Sequence, residues 1–403
     1  MSNFEAQFIP PRFRRLINNR TICVVGAIFI VSILFFHSDG FGFSRGRASP
    51  ASLMRDINNA TLGFEKILVV GLPSRTDRRD GMVLQAAVSN LKIDFIDGVM
   101  GADVPDKAVP KEKDQKRMGD ALIGSWRAHM NAIHEVVAKN LSTALIMEDD
   151  VSWDVRLRGQ LRDFAVSAHA LTQPLQGFSG AYADETFPTP SADSPGVLPD
   201  IPFNRLPATV APRNSPYGDN WDVLWIGHCG MHFPFPDNKV IPKGRVIRLN
   251  DETVAQRRYL WTFNKPFTLK EKYPDHTRAV HHSQEGVCSL GYAVTQKAAR
   301  QLLHELALKP FTDAFDIMLR FFCEGSKGRA YHNCLTLQPA LFHHHRPVGP
   351  HADASNIGNH GDGYRDKPST DMVRWSVRMN IEALMEGRTD FVDEYPDKED
   401  KPE

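Results

Sequence analysis

Apolar and polar residues alternate in blocks along the first half of the chain. The run KILVVGL at residues 66–72 is short and continuously apolar, which favours a buried strand. Apolar residues at helical spacing follow over residues 82–91, and residues 92–101 predict a second strand. A helix over residues 125–140 and a strand over residues 143–151 repeat the order. This alternation predicts an α/β fold with a central, mainly parallel sheet.

The pattern changes after residue 173. Residues 174–216 hold nine of the 27 prolines and show no hydrophobic period, which predicts a long loop or insertion. Residues 220–227 then predict a strand, residues 291–306 a strand that turns into a helix, and residues 374–387 a final helix. The charged residues 388–403 are expected to be disordered.

The N-terminus predicts a membrane anchor. Residues 1–20 form a basic tail, and the segment from Thr21 to Phe36 carries no charge. We therefore expect a transmembrane signal-anchor over residues 21–37, with the basic tail in the cytosol and the remainder in the lumen of the Golgi or endoplasmic reticulum. A cleaved signal peptide is the alternative. Residues 38–65 are expected to be a stem, followed by a catalytic domain over residues 66–387.

Composition narrows the class of protein only slightly. Lys plus Arg equals Asp plus Glu at 48 each, which excludes a global basic field for nucleic acid. Two glycosylation sequons begin at Asn59 and Asn140. Four cysteines follow the predicted anchor and could form two disulfides in any of three pairings, or remain free. They are Cys229, Cys288, Cys323 and Cys334.

Three consecutive carboxylates, Glu148, Asp149 and Asp150, end the predicted strand that begins at residue 143. Open α/β sheets bind ligands at the carboxyl ends of their strands, and Mn²⁺ or Mg²⁺ takes oxygen ligands. We expect Asp149 and Asp150 to hold such a metal, which would neutralise a diphosphate leaving group. A solvated acidic strand end is the alternative.

Two further clusters carry candidate chemistry. Arg75, Arg78 and Arg79 follow the first predicted strand and suit diphosphate contacts, although surface charges are the common alternative. The run FHHHRP at residues 342–347 contains three histidines, of which only alternate ones can point to one face of a strand. We therefore predict that a histidine of this run, His343 or His345, completes the metal site. A polar loop is the alternative.

Four segments together resemble family 25 of the glycosyltransferases, which includes lipooligosaccharide and procollagen galactosyltransferases. They read LIGSWRAHMNAI, ALIMEDDV, NWDVLWIG and LGYAVTQKAARQLL, and the resemblance runs from about Lys66 to about Pro347. The HHHRPVG and RWSVRMN pieces resemble a membrane-anchored, fungal-type branch. The resemblance implies a GT-A-like nucleotide-sugar-binding fold. It also implies metal-dependent, inverting transfer of a sugar, typically galactose, from a UDP-sugar to a glycan or glycoprotein hydroxyl.

The resemblance also implies a donor site. The acidic triplet matches the acidic motif of the family, and the segment containing His129 matches another motif with a spacing that differs by one residue and without its cysteine. The residues expected to bind the donor are Leu72, Arg75, Arg78, Arg79, His129, Glu148 and Asp149. An inverting transferase needs a base, and we expect Asp316, or failing that Glu285, to take this role. A metal-dependent hydrolase or phosphoesterase and a non-catalytic lumenal binding protein remain alternative functions.

Overall fold

The computed structural model describes residues 50–358 and 361–399. The helices are α1 Pro50–Asp56, α2 Thr76–Val88, α3 Asp120–Ala138, α4 Leu157–Thr172, α5 Thr268–Lys272, α6 Gln296–Leu302, α7 Phe315–Glu324 and α8 Ile381–Met385. The strands are β1 Lys66–Gly71, β2 Ile93–Asp97, β3 Thr143–Glu148, β4 Val151–Ser152, β5 Ile201–Pro202, β6 Val223–Gly227, β7 Gly230–His232, β8 Arg245–Arg248, β9 Arg278–His282, β10 Gln284–Val287, β11 Gly291–Thr295, β12 Cys334–Gln338, β13 His343–Arg346, β14 Gly349–Pro350, β15 Tyr364–Arg365 and β16 Ser369–Thr370. Helices and strands therefore alternate through the first half, as the sequence predicts.

A nine-stranded sheet in the order β2-β1-β3-β11-β6-β12-β9-β8-β5 forms the centre. Its first three strands are parallel, so their carboxyl ends meet at one edge. Over the whole sheet four neighbouring pairs are parallel and four are antiparallel. The expectation of a mainly parallel sheet therefore holds for the first three strands, whereas the other strands mix parallel and antiparallel pairs, and the architecture is mixed α/β.

Apolar side chains fill both faces of this sheet. In β1, Ile67 and Val69 face one hydrophobic core and Leu68 and Val70 face the other, which explains the continuous apolar run. Helices α2 and α4 cover the first face, and α3, α6 and α7 cover the second. This three-layer packing fixes the sheet edge where the acidic triplet ends β3.

The predicted boundaries of the domain are too narrow. Within the predicted stem, residues 50–65 instead contain α1 and contribute the buried side chains of Leu53, Ile57, Leu62 and Phe64. Within the predicted disordered tail, Asp393 pairs with Arg374 at 2.6 Å and the Tyr395 hydroxyl donates to the Thr370 carbonyl. Both segments contribute apolar or charged partners to the packed domain.

Two other elements differ from expectation. The predicted helix over residues 374–387 is reduced to a 3₁₀ turn and α8, because Val373 and Ser376 form β-bridges to Val254 and Asp154. The proline-rich segment 174–216 is largely irregular, as predicted, yet its strand β5 extends the central sheet and Asp184 and Thr186 within it are buried.

The predicted anchor over residues 21–37 lies outside the described residues. Among residues 50–358 and 361–399, no helix has both the length and the apolar character that a membrane crossing requires. The anchor therefore stays a prediction.

Candidate active site

A cavity of about 550 Å³ opens where β1, β2 and β3 end. The loop after β1 contributes Leu72, Arg75 and Arg78 to its wall, and α3 contributes His129. The acidic triplet that follows β3 lies on the same wall, and the opposite side is formed by the segment 288–290 and the start of α7. The parallel strands thus bring together residues that are far apart in sequence.

Glu148, Asp150 and His344 form a group that fits a divalent cation. One ligand atom from each lies within 4.8 Å of the other two. The Oδ1 atom of Asp150 is buried and has no hydrogen-bond partner among the described residues. Two carboxylates and an imidazole are ligands that Mn²⁺ accepts. An orphaned buried oxygen on a residue of such a group is a feature expected of a metal site.

The local backbone explains why this group differs from the predicted ligands. Strand β3 ends at Glu148, and Asp149 and Asp150 form the turn that leads into β4. In this turn Asp149 lies against Gly71 and Arg78, whereas Asp150 lies beside His344. In β13 successive side chains alternate, and His343 and His345 hydrogen-bond other groups. The structure therefore groups His344, and not Asp149, His343 or His345, with Glu148 and Asp150.

His343 and His345 have other partners. The imidazole of His343 is buried and hydrogen-bonds the Ala340 carbonyl at 3.0 Å, and that of His345 hydrogen-bonds the Thr370 hydroxyl at 3.0 Å. Burial lowers the pKa of each to about 3. Both imidazoles are therefore neutral parts of the interior.

Asp149 is held by an arginine. Its carboxylate accepts a hydrogen bond from Arg78 at 2.8 Å and lies against β1, where a Cβ atom added at Gly71 would come within 2.0 Å of the Asp149 Oδ2. Burial raises the pKa of Asp149 to about 6 in spite of the attraction of Arg78. This carboxylate positions the arginine at the cavity.

Electrostatics favour the ionised form of the other two carboxylates. Burial alone would raise the pKa of Glu148, but its interaction with His129 outweighs burial and lowers the pKa. Burial also opposes ionisation of Asp150, and the nearby His344 and Arg78 lower its pKa more strongly. Ionised carboxylates are the form that binds a metal.

Of the three arginines that were predicted to contact a diphosphate, two line the cavity and one does not. Arg75 and Arg78 line the cavity, and each donates a hydrogen bond to the segment 353–356. Arg79 instead pairs with Asp97 at the end of β2 and lies over the Phe95 ring. Arg79 is therefore not a wall residue of the cavity, contrary to its prediction as a donor contact.

His129 lies between the cavity wall and the second hydrophobic core. Its ring stacks on Phe315 with centroids 4.2 Å apart, and its Nδ1 hydrogen-bonds the Tyr292 hydroxyl at 3.0 Å. Its Nε2 lies 3.2 Å from the Ser289 hydroxyl, which in turn donates to Glu148 at 2.8 Å. His129 thus orients Glu148, and it lines the cavity, while its contact with a donor stays a prediction.

Asp316 is placed well for a base. It lines the cavity, and its carboxylate accepts hydrogen bonds from the backbone N–H of Cys288 at 2.7 Å and of Ile317 at 3.0 Å. Burial raises its pKa, although these N–H donors partly offset the effect. A partly buried carboxylate with a raised pKa is well suited to accept a proton.

Glu285 lies elsewhere. Its carboxylate pairs with Arg320 at 2.6 Å and lies 3.5 Å from His232, and it is not part of the cavity wall. The structure therefore does not bring Glu285, the second choice for the base, into the cavity, because β10 directs this side chain toward α7.

Two disulfides form, and one borders the site. Cys229 pairs with Cys288, and Cys323 pairs with Cys334. The Cys229 sulfur lies 4.0 Å from the Nδ1 atom of His344, so the first disulfide lies between His344 and the segment that holds Asp316. Sequence reasoning allowed two disulfides but gave no pairing.

The sequence interpretation missed His344, Ser289 and Arg346 as site residues. His344 belongs to the predicted histidine run, but the sequence did not indicate which of the three histidines faces the carboxylates. Arg346 lies 3.4 Å from Asp150 and follows in the same strand, which a strand assignment for residues 343–346 would have indicated. Ser289 is a lone polar residue before β11 and carries no signal in the sequence.

Both sequons begin at exposed side chains. The Asn59 side chain accepts a hydrogen bond from the Thr61 backbone at 2.8 Å, and Asn140 accepts one from Gln296 at 3.0 Å. Their glycosylation stays a prediction.

Comparison with known proteins confirms the family resemblance for the first part of the domain. Residues 64–175 match the model described as glycosyltransferase family 25 (LPS biosynthesis protein). The matched segment contains β1 to α4, including Arg75, Arg78, His129 and the acidic triplet.

Two curated relatives are each similar to a part of this chain that is little longer than the segment matched by the family model. The human protein named inactive glycosyltransferase 25 family member 3 is 30% identical over 113 residues, which cover 25% of this chain and 19% of the relative. The bovine protein named probable inactive glycosyltransferase 25 family member 3 is 26% identical over 126 residues, covering 28% of this chain and 21% of the relative. The chain thus spans about a fifth of the length of these relatives.

Proposed function

We propose that this protein is a metal-dependent, inverting glycosyltransferase of GT-A-like fold. It moves a sugar, galactose by family analogy, from a UDP-sugar to a hydroxyl of a glycan or glycoprotein. The observation that carries the proposal is the Glu148, Asp150 and His344 group at the edge of a cavity that also contains two arginines and a buried carboxylate. The family match to residues 64–175 supports the same class.

Glu148, Asp150 and His344 would hold the Mn²⁺ or Mg²⁺ ion. When bound, the ion supplies positive charge that offsets the charge developing on the diphosphate as it leaves. His129, through Ser289, keeps Glu148 oriented for this task. Asp149 keeps the Arg78 guanidinium at the cavity wall.

Arg75 and Arg78 would bind the diphosphate oxygens, because guanidinium groups donate two parallel hydrogen bonds to such oxyanions. Their present acceptors in the segment 353–356 are a side-chain amide and backbone carbonyls, which a diphosphate can replace. Preorganised cationic groups of this kind stabilise the charge of the transition state.

Asp316 would accept the proton of the acceptor hydroxyl. The hydroxyl oxygen forms a bond to the anomeric carbon as the bond from that carbon to the diphosphate oxygen breaks, and the electron pair leaves with the diphosphate. The raised pKa of Asp316, caused by burial, increases its basicity for this step.

One observation favours a second function, a non-catalytic binding protein of the same fold. Both curated relatives carry the word inactive in their names. In this chain, however, the metal-fitting group and the buried carboxylate Asp316 occur together in one cavity. A binding protein would retain nucleotide-sugar affinity without transferring or hydrolysing the sugar.

We further propose residence in the secretory pathway, as a single-pass protein held by residues 21–37 with the catalytic domain in the lumen. The paired cysteines support an oxidising compartment, because structural disulfides persist there and are rare in the cytosol. Exposed Asn59 and Asn140 would then be available for glycosylation.

The test uses the full chain, purified in detergent. UDP-sugars are screened by thermal shift with and without Mn²⁺, and those that bind are assayed for slow hydrolysis and for transfer to hydroxyl acceptors. A Mn²⁺-dependent shift with sugar release supports the transferase. Binding without any turnover indicates the binding protein, and hydrolysis of generic phosphate esters indicates a hydrolase.

A further inference from the structure

Arg378 differs from the other arginines around the acidic triplet. Arg75, Arg78 and Arg346 each donate hydrogen bonds to carboxylates or carbonyls. The Arg378 guanidinium has no hydrogen-bond or ion-pair partner among the described residues, and its Nε atom is fully buried. An unpaired, largely buried guanidinium is costly, so a group that carries its own compensating charge is expected nearby.

A second cavity, of about 90 Å³, lies beside this guanidinium. Arg378, Arg75 and Arg78 contribute three guanidinium groups to its wall, and Asp150 separates it from the larger cavity. The two cavities share the walls formed by Arg75, Arg78 and Asp150. The small cavity therefore adjoins the candidate donor site, and it has room for a small ion.

Helix α2 is shaped to accept Arg378. A Cβ atom added at Gly81 would come within 1.6 Å of the Arg378 Nη1 and 2.3 Å of its Cζ. The missing side chain at position 81 thus lets the guanidinium lie against the helix beside Arg78. Among the described residues no carboxylate forms a close ion pair with Arg378: Asp77 pairs with Arg75, and Asp149 and Asp150 pair with Arg78, so these carboxylates attract Arg378 only at longer range.

The small cavity holds three arginines and three carboxylates, Asp77, Asp150 and Asp353, so without a metal ion its charges balance. A divalent cation held by Glu148, Asp150 and His344 would neutralise Asp150 and leave the arginines in excess. The excess guanidinium groups, held close together, match the oxygens of a tetrahedral oxyanion.

We propose that Arg378, together with Arg75 and Arg78, forms a binding site for a phosphate-type oxyanion beside the candidate metal group. The anion is either a phosphoryl group of the donor diphosphate or a free phosphate ion. Both sources rest on the metal ion of the proposed function, and only the first also rests on its sugar donor. The assignment extends the site to the C-terminal part of the domain, outside the segment that matches the family.

The experiment measures the binding of inorganic phosphate and, separately, of UDP to the full chain by calorimetry, in Mg²⁺ at constant ionic strength. Arg378→Met removes the charge, and Arg79→Met is the matched control because Arg79 pairs with Asp97 outside both cavities. Gly81→Ala displaces the guanidinium without removing it, and Ala is the better helix former. It therefore tests the site in a chain whose folding is not weakened.

We expect Arg378→Met to weaken binding of at least one of the two probes by about tenfold or more, the value of a single lost charge-assisted hydrogen bond. Gly81→Ala should weaken it in the same direction, and Arg79→Met should leave it unchanged. If UDP binding falls, the anion is the donor diphosphate. If only phosphate binding falls, the site holds a separate phosphate ion. In that case the proposed anion site remains supported even if no UDP-sugar binds and no sugar is transferred.

The proposal is overturned if neither probe binds the wild-type chain, or if both bind Arg378→Met and Gly81→Ala as tightly as the wild type. Circular dichroism of each variant establishes that it is folded. If Arg378→Met does not fold, Gly81→Ala alone decides between the two results.

Discussion

The two sides of β13 place chemically identical side chains in opposite settings. His344 points to the carboxylates at the cavity, where its Nε2 lies 4.0 Å from Asp150. His343 points into the interior, where His228, His281 and His282 are also buried. On the cavity side the Oδ1 atom of Asp150 has no hydrogen-bond partner within residues 50–358 and 361–399, whereas His343 hydrogen-bonds a carbonyl. The difference shows that a histidine run specifies a ligand only through the direction of its strand.

The largest effect is expected from Asp150→Asn. Loss of the charge of this ligand should lower the rate of metal-dependent transfer by about 100-fold or more, because a bound metal ion stabilises such a transition state by several kcal/mol. Because Arg78 and Arg346 favour ionised Asp150, the thermal midpoint should also fall slightly. Initial rates and Mn²⁺-dependent thermal shifts check this. Asp97→Asn, outside the cavity, is the control, and a fully active Asp150→Asn protein would remove Asp150 from the mechanism.

Substitutions of His344 and His343 test the assigned directions of the two side chains. His344→Ala should lower metal affinity and activity by about 10- to 100-fold, as for other residues that hold a metal site, with little change in the thermal midpoint. His343→Ala should leave metal affinity unchanged and lower the free energy of unfolding by about 1–3 kcal/mol, because it removes a buried, hydrogen-bonded side chain. Metal titration and denaturant unfolding are the measurements. The reverse pattern would refute the assigned directions.

The two disulfides provide a similar pair. Removing either should destabilise the domain by about 2–5 kcal/mol. The double variant Cys229→Ser, Cys288→Ser, and not the other double variant, should also lower kcat by about tenfold. The reason is that the backbone N–H of Cys288 donates to Asp316 and Cys229 lies beside His344. It should also move the pH profile of kcat, since the Asp316 environment changes.

The control is the Cys323→Ser, Cys334→Ser variant, whose cysteines are remote from the cavity wall. Steady-state kinetics are compared at a temperature where both variants are folded. Equal kcat values for the two variants would mean that the first disulfide has only a structural role.

The smallest effect concerns stability in acid. Burial lowers the pKa of His281 to about 3 and that of His282 and His228 to about 4. Their stabilising contribution is complete above the unfolded pKa near 6.5 and declines as the pH falls toward 4. Burial raises the pKa of Asp149 to about 6 and of Glu394 to about 7, so proton uptake by these groups opposes the decline.

A variant isolates the histidine contribution from that of the carboxyls. His281→Gln should show a shallower dependence of the unfolding free energy on pH between 6 and 4, by up to about 1.4 kcal/mol per pH unit, the equivalent of one proton. Urea unfolding at several pH values measures the slope. An unchanged slope would show that His281 does not become protonated on unfolding.

The sequence predicted strands correctly where both faces of the strand are buried. Strands β1 and β3 lie inside the sheet with both faces covered, so their sequences are uninterrupted apolar runs and the acidic strand end stands out. The same reasoning failed in the second half. Strand β9 contains Arg278, whose charge is buried because Asp251 pairs with it at 2.8 Å, and no hydrophobic pattern anticipates such a partner.

The candidate site was predicted in its residue types but not in its directions. At the histidine run the predicted and the grouped residues differ by one position along β13, and at the acidic triplet a turn after β3 directs Asp149 away from Asp150. A shift of one residue reverses every side chain of a strand, so composition and spacing cannot choose between the two sides. Long-range pairing of β13 with β4 makes that choice here.

The most direct test of the metal group is pulsed electron paramagnetic resonance of Mn²⁺ bound to the full chain. We predict nitrogen modulation from a single imidazole that disappears in His344→Ala and persists in His343→Ala and His345→Ala. Mn²⁺ that binds without any imidazole coupling, or coupling that survives in His344→Ala, would contradict the assignment of Glu148, Asp150 and His344 as the metal site.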